Sequence, residues 1–393
     1  MAERIIHSFE AGRRGKPDEL ESGLAHLIGA YFLERNPLAR FDVRVAGGFS
    51  RALQKPRLCI SGEVSASVLT EDTYPELHRR LVAHYNKVHQ SHLGTTDFVW
   101  DFFFKSQADS LAANSCAGDS GNPIAVAYRT SPHHLPWERY LAVEIRDLID
   151  HLYQDSPSGL AGLQPDGKVG VEAVYSGSRL VNLSTITLAV QHDHSLSIEA
   201  LRLHLGGRVS ELLGRTENRY SVSLGTPLLV INGLGAWHTG GWEVDEGTRE
   251  AKPYRDGFGT YGCMEDSFSG EDPTKPSATG TFLARYIAVQ VVAHGLADFA
   301  RVALGYTIGR EEVGLNITTN GTGKLPQEKL EAWVRDNIPL HISGAINRFD
   351  LRSPNLYHAI VGSSDFFHAP SFPWNKKGNY APPPLSDSHR GRL

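Results

Sequence analysis

Acidic and basic side chains recur close together in the glycine- and proline-marked turns of this sequence. The fullest case is residues 256–297, DGFGTYGCMEDSFSGEDPTKPSATGTFLARYIAVQVVAHGLA. Gly257, Gly259 and Gly262 open it, Glu271, Asp272 and Lys275 crowd a tight turn, and an amphipathic helix follows, with Leu283, Ile287, Val291 and Leu296 at roughly helical spacing. Glycine supplies the unusual backbone angles such a turn needs. A polar turn feeding a helix start is a place where an anion can be held. PDGK, residues 165–168, sets Asp166 and Lys168 two residues apart, which on the residues alone reads as a solvated turn. QHDH offers His192 and His194 as two ligands on one strand face. No third ligand stands near them, so the structural role is the better reading. NGTGK, residues 320–324, is not a phosphate-binding P-loop. Its first glycine is misplaced, and Leu325 follows the lysine where Ser or Thr is required.

The elements that must position these groups are mixed in type. Helical patterns cover residues 19–35, 72–92, 135–153, 198–213 and 329–338. The first has Pro17 and Asp18 at its entry. Its apolar face is formed by Leu24, Leu27, Ile28 and Phe32. Strand patterns cover 43–48, 57–68, 168–175, 184–192 and 226–233, and residues 106–124 read as a small-residue loop. His78, His84, His89 and His92 form no tight metal pair and read as solvated surface. The tail after Lys376, rich in proline and serine, reads as disordered. Without strict β-α-β order the class is α+β.

The chain has 393 residues, 40% hydrophobic and 21% charged, which is globular composition long enough for two or three domains. A net charge of -5 gives no electrostatic reason to expect nucleic acid or an acidic membrane as partner. Three cysteines cannot build a disulfide framework. The sequence has neither an apolar signal core nor a run of 18 apolar residues. A cytoplasmic protein is therefore expected.

CAGDSGNP, residues 116–123, is similar to the sequence around a chymotrypsin-type serine, which would make Ser120 a nucleophile. No histidine stands in the setting that chemistry needs, and that family's disulfides are missing. A second resemblance reaches from about residue 10 to 376. FSGEDPTK resembles the FSGKDP(S/T)K loop of S-adenosylmethionine synthetases, and ARYIAVQVVAHGLA resembles their ARYVAKNIVAAGLA helix. GDSG resembles their GDQG, PDGK their PDGKxQVT, KPD their HPDK and SGEVSAS their GEITT. Residues 231–252 run without gaps along INPTGRFxxGGxxGDxGLTGRK, and FHAPSFPWNK resembles FGRxxFPWEK.

This resemblance implies the family fold: three α+β domains with pseudo-threefold arrangement, and sheets packed at a homodimer interface that holds the sites. By resemblance the domains take residues 1–14 with 130–238, 15–107 with 239–279, and 108–129 with 280–393. It implies adenosyl transfer from ATP to methionine or a close analogue, with Mg²⁺. Lys16, Asp119, Asp166, Lys168, Trp237 and Lys252 would serve ATP and its adenosine, and Glu63, Asp245 and Lys275 the amino acid. Asp18 would bind metal. Lys168, Lys252 and Asp245 would carry the catalytic roles. K⁺ stays doubtful, because the family's K⁺-site glutamate has no clear match and Asp42 is the nearest acid.

The departures gather at the triphosphate. Lysines of the family are Glu19 and Glu271 here, an arginine is Ala251, and a metal-binding aspartate is Ser277, while Lys16 replaces a histidine. Losing such cations costs about 2.7–4 kcal/mol each. Arg13, Arg14, Arg249 and Arg255 are candidate replacements. The resemblance thus leaves three functions open: adenosyl transfer with an altered triphosphate site, another reaction of ATP or S-adenosylmethionine in the same pockets, and a non-catalytic nucleotide-binding role. It leaves open also a dimer or a dimer of dimers, and a triphosphate released or hydrolysed.

Overall fold

The β-branched alternation at 43–48 and 57–68 forms two strands that pair with each other, Phe41–Ser50 and Lys55–Ser65. The computed structural model describes residues 4–107, 116–154, 160–247, 257–262, 269–363 and 365–383. Three sheets are formed among them. The first holds β1 (Arg4–Gly12), β6 (Leu163–Ser176), β7 (Arg179–His192) and β8 (Leu228–Ile231) in that order. It is antiparallel except between β7 and β8. The second holds β2 (Phe41–Ser50), β3 (Lys55–Ser65) and β4 (Val99–Gln107), with β3 and β4 parallel. The third orders β10 (Gly314–Thr318), β9 (Phe299–Gly305) and β5 (Ile124–Tyr128), all antiparallel.

The described helices are α1 (Pro17–Arg35), α2 (Thr73–His89), α3 (Trp137–Gln154), α4 (Ile198–Tyr220), α5 (Pro276–Ala293), α6 (Gln327–Asn337), α7 (Ile342–Phe349) and α8 (Pro354–Gly362). The class is α+β, as the mixed order of elements indicates. One core joins the first and third sheets with α3 and α5. Another lies between the second sheet, α1 and α2, and takes in Trp242 and Tyr357. No described helix is long and apolar enough to cross a membrane.

Three expectations are corrected. The amphipathic helix expected over the 280s is α5, which is buried on nearly all sides, Arg285 and Gln290 included. Arg285 is tolerated inside because its guanidinium donates to the carbonyls of Val126, His133 and His134 and to Asn375. The histidines of α2 are not a solvated face. His78 stacks on Trp100 at 4.1 Å and His89 on Tyr85 at 4.2 Å. Burial, then the charges of Lys87, Arg14 and His89, hold His84 down to about 4. The tail is tied to the fold at Tyr380 and Ala381, and residues 384–393 lie outside the described residues. Tyr380 meets the Tyr286 hydroxyl at 2.8 Å, and Trp333 donates to the Ala381 carbonyl at 2.9 Å.

Candidate functional site

Two lysines hold the same local position. Lys16 caps α1 and Lys275 caps α5, each followed by proline at the first helical residue. An ammonium at the positive end of a helix dipole is unfavourable by itself. Carboxylates gathered around each lysine offset it, and these two gatherings are the candidate site.

Around Lys275, Asp42 lies at 3.2 Å and Asp119 at 3.1 Å. Backbone pairing brings them together. Residues 270–272 pair along the edge of β2: Val43 donates to the Gly270 carbonyl and Asp272 donates to that of Phe41. This forms a bridge between Asp42 and Glu271. In the β2–β3 register Asp42 also faces Glu63, so Glu63, Asp42 and Glu271 stand in one row across the sheet. Burial disfavours the Lys275 ammonium, but the charges of Asp42, Glu271 and Asp119 outweigh it and hold its pKa well above the ordinary value. Glu271 is 2% exposed and accepts a short hydrogen bond from Ser277. A cavity of about 270 Å³ opens among Asp42, Asp119, Ser120, Glu271, Lys275 and Ser277. Ser120 accepts at its Oγ from the Ile308 N–H at 3.1 Å, and no described histidine is bonded to it as a base would be.

Around Lys16, Asp18 lies at 2.7 Å and Asp245 at 3.1 Å. The loop before Lys16 is laid against PDGK, since Arg13 donates to the Gly167 carbonyl and Gly15 to that of Pro165. A Cβ on Gly15 would stand 2.4 Å from Pro165, so the approach requires glycine. Asp166 is thereby buried beside Lys16 and accepts from the Gly241 N–H at 2.7 Å. Burial raises the Asp166 pKa against the pull of that hydrogen bond and of Lys16. Burial works to lower the Lys16 pKa, and Asp18 and Asp245 together raise it. Trp237 is half-buried, with its indole N–H on the Thr239 carbonyl at 2.6 Å. His192 braces it through a backbone bond to the Trp237 carbonyl, the structural role expected of QHDH.

The site residues expected from sequence thus divide. Asp119, Lys275 and, through register, Glu63 meet at one lysine, and Lys16, Asp18, Asp166 and Asp245 at the other. Glu63 and Lys168 stand on open sheet faces, where Gln107 contacts Glu63 at 2.9 Å and Glu10 contacts Lys168 at 3.0 Å. Lys252, Ala251, Arg249 and Arg255 lie outside the described residues. Arg13 is no replacement cation for a triphosphate. It is fully buried, on Asp150 at 2.8 Å and the carbonyls of Gln164 and Asp166.

Sequence reasoning missed Glu21 and Trp242. Glu21 is one helical turn beyond Asp18 and fully buried. Its Oε1 accepts from the Gly47 N–H at 2.7 Å and from the Trp242 indole at 3.0 Å, while Oε2 has no partner among the described residues. Gly47 has no room for a side chain, because a Cβ would stand 2.0 Å from the Trp242 ring. Trp242 adjoins Gly241, which binds Asp166, and precedes Asp245 by three residues. This pin therefore fixes the turn that serves both acids. Burial, with the charges of Asp18 and Glu246, pushes Glu21 up to about 8. Its contribution to stability is fully present below its ordinary carboxylate range and is lost as pH rises through about 8. Glu21→Gln, which keeps the acceptor without the charge, is expected to remove that slope from a Tm-against-pH series. Glu21→Leu, which leaves the indole unpaired, is expected to cost on the order of 1–3 kcal/mol. A Tm-against-pH slope equal in the wild type and Glu21→Gln would refute the neutral pin.

Residues 239–376 match the S-adenosylmethionine synthetase C-terminal domain. The S-adenosylmethionine synthase of Nitratiruptor sp. is 27% identical over 400 residues, covering 96% of both chains. That of Desulforudis audaxviator is 31% identical over 279 residues, 68% of this chain and 67% of its own. The chain belongs to the S-adenosylmethionine synthetase family. As a member it is a divergent one: Lys275 at the start of α5 is kept, Lys16 at the start of α1 stands for the family's histidine, and the charges around both are changed. Glu19, standing for a family lysine, turns toward Gly12 and Arg146. Ser277, standing for a family aspartate, touches Glu271.

Proposed function

We propose that two copies of this chain bind ATP and a methionine-like amino acid and transfer the adenosyl group to the sulfur. The thioether sulfur forms a bond to C5′ as the C5′–O bond breaks, and the electron pair leaves with the triphosphate. The observation that carries this reading is the row of Glu63 and Asp42 beside Lys275. An amino acid presents a carboxylate and an ammonium together, and this row offers an ammonium beside carboxylates. Asp166 and Trp237 suit a ribose and an adenine, by hydrogen bonding and by stacking.

The two lysine groups sit toward different ends of β2. Asp42 belongs to one and Gly47, through Glu21, to the other, about 17 Å apart along the strand. A site using both groups is best completed by a second copy packed on the open faces of the first two sheets, which expose Ile6 and Phe103. Sedimentation at micromolar concentration is expected to show a dimer. A monomer that still binds nucleotide would remove this part of the reading. The division into three discontinuous domains given above is carried with it.

Asp18 fits Mg²⁺ as a protein ligand when the ion's other oxygens come from phosphate. No three His, Cys, Asp or Glu side chains converge as a metal-binding group among the described residues, so most ligands must come with the nucleotide. The ion would offset charge on the departing triphosphate.

The test is to incubate the purified protein with ATP, Mg²⁺ and methionine and to resolve every nucleotide product. S-adenosylmethionine with equimolar triphosphate or its hydrolysis products is the expected result; ATP recovered intact would overturn it. A second reading is favoured by one observation: Lys16, Lys168 and Lys275 are each already matched by carboxylates. Such a site suits a cationic sulfonium better than a polyanion, so S-adenosylmethionine would be the substrate. Its consumption in the same assay without ATP decides between the two.

A further inference from the structure

A chain of net charge -5 collects four cations in one groove. The groove, about 540 Å³, runs between α2 and α8 beside the turn that precedes α1. Arg14, Arg79, Arg80 and Lys87 line it, against Glu34 as the one carboxylate among its described lining residues. Arg80 is held by Glu34 and Glu76, both at 2.7 Å, and Arg79 by Glu76 at 2.7 Å. The other two cations have no carboxylate partner among the described residues. The Arg14 guanidinium has only a long contact of 3.5 Å to the Gly362 carbonyl, and Lys87 is exposed.

His84 lines the groove with these two, and its imidazole makes no hydrogen bond among the described residues. Burial, then the charges of Lys87, Arg14 and His89, lowers its pKa, so the ring is neutral. Adjoining it is a chamber of about 100 Å³ that Arg14 and His84 also line, with Glu19, Arg146 and Asp365 among its other walls. Gly23 of α1 leaves the ring its space, since a Cβ there would stand 3.0 Å from Nε2. The wall thus offers a guanidinium fork, an ammonium and a neutral imidazole able to donate one N–H, all facing one concave space. Low-dielectric walls lined by one sign of charge concentrate a counter-ion. Guanidinium and ammonium together match phosphate oxygens. The volume is that of a small-molecule site.

We propose that this groove is a second ligand site that binds a small phosphate-bearing anion through Arg14, His84 and Lys87. The site does not depend on the reaction proposed above, because none of its residues belongs to either lysine group.

The test is calorimetric titration of the full chain with pyrophosphate and, separately, with adenosine 5′-monophosphate, at low ionic strength where exposed charges are least screened. The wild type is expected to bind one anion per chain at this groove. Lys87→Gln is expected to weaken it by roughly tenfold, the equivalent of one charge-assisted contact. The double variant with Arg14→Gln is expected to lose it. Tighter binding of pyrophosphate identifies an inorganic phosphate ligand, and tighter binding of the nucleotide a nucleoside phosphate. Anion affinity unchanged in Lys87→Gln and in the double variant would place the anion elsewhere and overturn the proposal, as would a wild type that binds neither probe. Lys87 is exposed, so its single variant remains informative if Arg14→Gln proves unstable.

Discussion

Replacing Lys275 with alanine is expected to lower kcat/KM for the amino acid by about 10³-fold, the effect of removing one preorganised charge from a water-poor site. The ammonium lies 3.2 Å from Asp42 and 3.1 Å from Asp119, with its side chain 14% exposed. Without it, Asp42, Asp119 and Glu271 face one another around the cavity with their common partner gone. Breaking a buried charge arrangement from one side costs about 3–5 kcal/mol. Lys275→Arg keeps the charge but exchanges a compact ammonium for a planar fork, and is expected to recover stability more fully than turnover. The measurements are steady-state kinetics with ATP and methionine, and Tm. A Lys275→Ala enzyme within threefold of the parent would show that the row beside Lys275 is not where the amino acid binds.

Much of the scaffold was legible because its signals are local. α1 carries Pro17, Asp18 and Glu19 in its first turn, and α3 and α4 repeat apolar residues at helical spacing. β6 and β7 alternate over 14 residues each. β5 and β10, only five residues long, gave no comparable signal, and β1 interrupts its apolar residues with His7, Ser8 and Glu10. The histidines of α2 were misjudged because their partners come from elsewhere in the fold: Trp100 from β4 beneath His78, and α1 against His84.

The candidate site was legible as a set of residues and not as an arrangement. Motif likeness picks out Glu63 and Lys275, but only the β2–β3 register and the edge pairing of 270–272 place Glu63, Asp42 and Glu271 in a row. Glu21 and Trp242 are 221 residues apart and meet through one indole hydrogen bond. No spacing rule reaches across such a distance. Glu271 and Lys16, both changed from the family's residues, likewise stand in different groups, Glu271 near Lys275 and Lys16 with Asp18 and Asp245.

Exchanging two charges across one contact, Glu271→Lys with Ser277→Asp, is expected to raise S-adenosylmethionine formation by tenfold or more. Where the family motif has lysine this chain has Glu271, and where it has a metal-binding aspartate this chain has Ser277. The two side chains touch, with Ser277 donating to Glu271. The carboxylate has therefore moved across the contact, and what the pair lacks is the cation. Like charges in close contact at an effective dielectric of about 20 repel by roughly 4 kcal/mol, so Glu271 beside a departing triphosphate opposes the step it should assist. Glu271→Lys alone is expected to gain less. It removes that repulsion but sets a second ammonium near Lys275 and leaves position 277 without its acid. Ser277→Asp alone is expected to lose, because it packs a carboxylate against a carboxylate that is 2% exposed. The four rates form a double-mutant cycle. A coupling on the order of 1–3 kcal/mol between the positions is expected for groups in contact. The decisive readings are S-adenosylmethionine formed per chain and its dependence on Mg²⁺ concentration. A double variant no faster than a slow parent would show that this loop no longer addresses the triphosphate. A parent already fast with ATP and methionine would show that Glu271 never opposed it.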